Sequence, residues 1–69
     1  MQDYLYTVEE VATILKVGKN TVYDLIRKKI LTGLKLGRIK VTRAEVLRFL
    51  KENNGKDLSD LENIKLLEF

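Results

Sequence analysis

With 69 residues, no Cys and no His, the chain is one small domain near the lower limit at which a hydrophobic core alone holds a fold; disulfides, thiolate nucleophiles, imidazole bases and the usual zinc ligands are excluded. The net charge of +3 is unevenly spread: residues 1–15 carry Asp3, Glu9 and Glu10, residues 16–51 carry eleven Lys or Arg against Asp24 and Glu45, and residues 52–69 carry Lys56 and Lys65 against five acids. A basic middle between acidic ends points to a polyanionic partner, the plainer reading being a solvated, lysine-rich surface.

No run approaches the roughly 18 apolar residues that span a bilayer, so no membrane partner is expected. The start, MQDYLYTVEE, has early acids and no apolar run, unlike a signal peptide. A cytoplasmic location is the expectation. Pro is absent, and neither repeats nor low-complexity segments occur.

Thr7-Val8-Glu9-Glu10 predicts a helix start, with Thr7 as cap and Glu10 completing a capping box. Val8, Val11, Ala12 and Leu15 then share one face, and the helix stops near Lys16. Gly18 either takes backbone angles closed to other residues or serves as the next N-cap. A second helix is predicted from about Lys19 to Lys29. Val22, Leu25 and Ile26 form its inner face, Asn20, Asp24 and Arg27 its outer one, with Tyr23, Lys28 and Thr21 on the flanks. So tight a turn between two short helices implies a steep crossing, as in a helix-turn-helix.

From Leu31 to Val41 the period shortens toward two, predicting a hairpin that turns at Gly37-Arg38. In that register Leu34, Leu36, Ile39 and Val41 line one face, and Lys35, Arg38 and Lys40 make the other cationic. Thr42-Arg43-Ala44-Glu45 repeats the capping-box pattern ahead of a third helix whose apolar face is supplied by Val46, Leu47, Phe49 and Leu50, and which ends near Asn53-Asn54-Gly55. In the tail, Leu58, Leu61, Ile64 and Leu67 recur every three residues among acids. With Asp57 or Ser59 as cap, they predict a short fourth helix.

No catalytic constellation competes with this order. The one Ser lies in the acidic tail, and no phosphate-binding glycine loop is present, so no enzymatic activity and no cofactor are expected. Asp57, Asp60 and Glu62 match no EF-hand spacing, so no metal is expected either.

The major groove of B-DNA, about 12 Å wide, accepts one helix, N-terminus first. The residues that would reach base edges are Lys19, Asn20 and Thr21, then Tyr23, Asp24 and Arg27. Asn pairs with adenine and Thr meets a thymine methyl. Lys19 and Lys28 are better placed for phosphates, which position the protein without reading sequence.

The runs YTVEEVATILKVGKNTVYDLIRKKIL and LKLGRIKVTRAEVLRFL resemble the excisionase-type, MerR-like winged-helix DNA-binding domain over about residues 4–52, with V-G-K-N-T-V-Y the most specific part. The resemblance implies a winged helix-turn-helix that places its second helix in the major groove and its wing along the minor groove or backbone. It further implies a phage or mobile-element excisionase or a small transcriptional regulator, binding cooperatively at repeated sites and often bending DNA. The chain departs from the pattern at Lys16, where relatives often have Gly, at Gly18, where they have a stronger cap, at Asp24, and in a shorter wing.

Each candidate also has a plainer reading. Asp24 accepts from cytosine N4 or, as its spacing favours, pairs with Arg27 or Lys28. Tyr23 meets DNA or packs on the first helix with its hydroxyl in solvent. Asn20 reads a base or is ordinary helix-start polarity. Arg27 is a phosphate ligand. Arg38 meets the minor groove or a phosphate, or is a solvated turn residue. Lys35 and Lys40 bind anions or guard an edge strand. Thr7 is chiefly a cap whose helix start can face a phosphate.

The expected fold is mostly α with a small β-hairpin. Residues 1–55 form a winged helix-turn-helix DNA-binding domain, and 56–69 an acidic amphipathic tail or short helix. The expected partners are double-stranded DNA, further copies on adjacent sites, and a recombinase through the tail. The alternative is a protein-interaction adaptor whose basic face meets an acidic protein. RNA binding is weaker, for want of an exposed aromatic sheet.

Overall fold

In the computed structural model of the protein, residues 4–66 are described. Thr7 Oγ1 accepts the Glu10 N–H at 3.1 Å, and Glu10 Oε1 accepts the Thr7 N–H at 2.8 Å. This capping box satisfies two otherwise orphaned donors at the head of α1 (Val8–Leu15), which buries Val8, Val11 and Ala12. Helix α2 (Lys19–Arg27) follows and buries Val22 and Leu25. Helix α3 (Arg43–Asn53) buries Val46 and Phe49, whereas Leu47 (56% exposed) and Leu50 (44% exposed), expected on the same apolar face, are left largely to solvent.

The turn between α1 and α2 is as tight as the spacing predicts, but a different residue makes it. Lys16, not Gly18, is left-handed (φ 59, ψ 44), and the Val17 N–H reaches back to the Ala12 carbonyl at 2.9 Å. A non-glycine residue there costs about 1 kcal/mol. Gly18 is extended and caps α2 without any side-chain bond. Lys29, just past α2, is left-handed as well (φ 61), so that helix ends two residues earlier than predicted.

Three strands, β1 (Leu5–Thr7), β2 (Leu34–Leu36) and β3 (Arg38–Thr42), form an antiparallel sheet in the order β1-β3-β2. Strand β1 is too short to show a period in the sequence and exists through its pairing with β3, Tyr6 opposite Val41.

The hairpin register overturns the expected division of its faces. Leu36 lies opposite Arg38 and Leu34 opposite Lys40, with Gly37 (φ 72) alone at the tip. Directly opposed residues share a face, so the two leucines stand with Arg38 and Lys40, while Lys35 shares the other face with Ile39. A change of one residue in a turn exchanges faces in this way. Core burial sets the choice: Val41 is fully buried and Ile39 packs on the core, whereas β2 is exposed along its whole length.

Glu45 departs from its predicted role. Thr42 Oγ1 accepts the Glu45 N–H at 3.1 Å, as in a capping box, but the Glu45 carboxylate turns to the Thr32 N–H at 2.8 Å and to the Arg48 guanidinium, at 2.7 Å from Nε. Arg48 Nη2 also donates to the Ile30 carbonyl at 3.1 Å. Together these bonds tie the connection between α2 and β2 to α3.

The predicted fourth helix is absent among the described residues. Instead β4 (Lys56–Asp57) and β5 (Lys65–Leu66) pair antiparallel, and Asp57 Oδ1 accepts the Ser59 N–H and hydroxyl at 2.9 and 2.6 Å. The cap candidates thus close an Asx-type turn rather than start a helix. A strict three-residue repeat drifts off one helix face, and here only Leu58 and Leu61 pack on the core, while Ile64 is exposed. Leu67 lies outside the described residues. Among these residues, no helix is long and apolar enough to cross a membrane.

Candidate nucleic-acid interface

Because Val22 and Leu25 anchor α2 to the core, its opposite face is left to solvent. Asn20 and Arg27 are exposed there and Asp24 is half-buried between them. The Arg27 guanidinium donates to the Asp24 carboxylate, so the local ion pair is present with Arg27 rather than Lys28 as partner. Lys19 Nζ lies 3.9 Å from Glu9 Oε2 of α1. Lys28 is held by Glu62 of the tail. Lys19 and Arg27 of α2, and Lys28 at its C-cap, therefore each face an acid of the same chain.

The hairpin differs. Among the described residues, Lys35, Arg38 and Lys40 have no ion-pair partner. A cleft of about 260 Å³ runs between the start of α1, α2 and the hairpin, lined by Thr7, Tyr23, Lys35 and Arg38 among others. Four of the eleven candidates are thereby brought to one place. Tyr23, 41% exposed, bridges the α2 face and the hairpin tip. Thr7 adds little polarity of its own, since its hydroxyl and N–H are engaged in the capping box.

Thr21 and Lys40 stand apart from this group. Thr21 borders a second cleft, of about 560 Å³, with Leu15, Val17, Leu50, Leu58 and Leu61. Lys40 stands on the outer face of the sheet, opposite Leu34 and Thr7. The candidates thus form four groups: Asn20, Asp24 and Arg27 along α2; Thr7, Tyr23, Lys35 and Arg38 around the cleft; Lys19, Thr21 and Lys28 at the margins; and Lys40 on the outer face of the sheet.

Three features escaped sequence reasoning. The exposure of Leu34 (43%) and Leu36 (59%) depends on the hairpin register, which the residue pattern left to the turn. The Lys28–Glu62 pair joins residues far apart in the chain and has no local signal. The Glu45–Arg48 pair had one, its i, i+3 spacing on a helix. The Glu45 side chain is only 13% exposed, and the Arg48 hydrogen bond, the largest influence, helped by the Thr32 N–H, holds its carboxyl below the usual range despite burial.

The chain matches the family model of a helix-turn-helix domain over residues 5–54. It is similar to the uncharacterized protein YvgK of Bacillus subtilis (strain 168), 50% identical over 48 residues that make up 70% of this chain and 16% of that protein. It is also similar to an excisionase of Streptomyces ambofaciens, 42% identical over 53 residues, 75% of this chain and 86% of that protein. No solved structure matches it.

Proposed function

The chain belongs to the helix-turn-helix domain family, and on that premise we propose that it is a small, non-enzymatic duplex-DNA-binding protein of the excisionase type. Residues 1–55 act as a winged, MerR-like helix-turn-helix, with 56–69 as an acidic tail laid against it. Helix α2 enters the major groove, where Asn20 and Arg27 face base edges and phosphates. The β2–β3 hairpin is the wing and meets the minor groove or the adjoining backbone. Its biological role is recombination directionality or small-scale transcriptional regulation.

The observation that carries this reading is the placing of two unpaired hairpin cations, Lys35 and Arg38, on a cleft they share with Tyr23 of α2. Tyr23 lies between the two surfaces, which makes them one continuous contact. A domain this small makes few base contacts, so several copies on repeated sites are part of the proposal, as is a recombinase meeting the tail.

Fluorescence anisotropy on random duplex DNA across a salt series tests it. Binding at low salt, with log K falling linearly against log salt, is expected. Absence of binding at about 50 mM salt overturns the DNA reading and leaves the protein-interaction adaptor.

A further inference from the structure

An exposed leucine is common, but two on a short edge strand are a liability for edge-to-edge association. Leu36 is 59% exposed and Leu34 43% exposed, and neither is among the side chains packed on the core. Both stand directly across from a cation, Leu36 from Arg38 and Leu34 from Lys40. No acid lies in β2 or β3, or in β1 beside them. Gly37 makes the tip blunt: a Cβ built there meets nothing within 4 Å. The hairpin therefore ends in an apolar side chain with a guanidinium beside it, both open to solvent.

The charge of this face selects a polyanion as occupant. Its narrowness selects the minor groove, roughly 6 Å wide, which admits side chains at a hairpin tip and excludes a helix. Arginine is drawn to the negative potential there, and leucine is among the residues that enter base steps as wedges, unstacking them and bending the duplex.

We propose that Leu36 is a minor-groove wedge: it enters a base step of duplex DNA while Arg38 holds the groove wall beside it, and so bends the duplex. The inference rests on the DNA-binding reading above and adds to it the residue that deforms the DNA. Leu34, farther from the tip, meets the sugar edge. The unstacking cost is offset by burial of Leu36 and by the extra contacts of the bent duplex.

The test is end-to-end energy transfer on a random duplex of about 30 base pairs, short against the roughly 150-base-pair persistence length, with wild type, Leu36→Ser, Leu36→Met and Arg38→Ala. Wild type should raise transfer efficiency on binding. Leu36→Ser should abolish that rise and weaken binding by roughly three- to tenfold, the size of losing half a leucine's burial, with the salt slope unchanged. Leu36→Met keeps the apolar wedge and should keep the bend. Arg38→Ala should lower the salt slope by about one. Because Leu36 is exposed, all variants should melt like wild type by circular dichroism. If Leu36→Ser bends DNA as wild type does, the wedge is overturned. Loss of self-association without loss of bending would also overturn it, by making the leucines a contact between copies. If wild type fails to bind duplex at all, the parent reading fails instead.

Discussion

The carboxylate of Glu62, in the acidic tail, is bonded to the ammonium of Lys28 at the end of α2. Leu58 and Leu61, which pack on the core, hold the tail where this contact is made. A phosphate approaching Lys28 must displace Glu62 or share its partner. Glu62→Gln should therefore raise affinity for random duplex by about threefold at low salt, the scale of an exposed ion pair, and the gain should shrink as salt rises. Anisotropy titrations at two ionic strengths measure this; unchanged affinity would show that Lys28 stays outside the contact.

The Asp24–Arg27 pair makes a second prediction. Asp24 occupies Arg27, and on the proposed DNA-facing surface it would also repel phosphate. Asp24→Asn should strengthen binding to random duplex and steepen the salt dependence by about one released counterion, as Arg27 becomes available to phosphate. A variant that bound random DNA as wild type does, but discriminated poorly among sites, would instead assign Asp24 to base reading.

Glu45 makes a third, on stability. Its carboxylate serves the Thr32 N–H and Arg48 at a site only 13% exposed. Glu45→Gln removes the charge at similar volume and should destabilise the fold by roughly 1.5–3 kcal/mol, the cost of a hydrogen bond to a charged group. The folded-state pKa of Glu45 is lowered from the ordinary 4.5, chiefly by the Arg48 hydrogen bond. Its contribution is therefore fully present above about pH 4.5 and is lost as pH falls through the lower folded value. Urea melts of both proteins across acidic pH should converge below that window; parallel curves would rule the linkage out.

Lys16 makes the fourth. Its left-handed backbone (φ 59) is a position that glycine occupies without strain. Lys16→Gly should stabilise the domain by about 1 kcal/mol, raising Tm by roughly 4–8 °C in a domain of this size. Thermal melts decide it, and a lowered Tm would mean that the lysine stem is packed rather than strained.

The helix starts at Thr7 and Thr42, the buried spacing of Val22 and Leu25, and the basic hairpin were legible in the sequence, because caps and periods are set by neighbours along the chain. So was the outer face of α2, since naming the buried residues of a helix names the exposed ones. The hairpin faces were not, because a strand's facing follows from register, and register here answers to the burial of Val41 against the helices. Strand β1 and the β4–β5 ladder were not legible either, since strands of two or three residues carry no period and exist only through partners. The Lys28–Glu62 contact has the same origin: it needs the tail folded back over the core. Local chemistry thus determined the starts of the three helices and the inner faces of α1 and α2, while only the tertiary structure decided that the tail pairs as strands instead of a fourth helix, which cations stay unpaired and which leucines reach solvent, because these depend on residues distant in the chain.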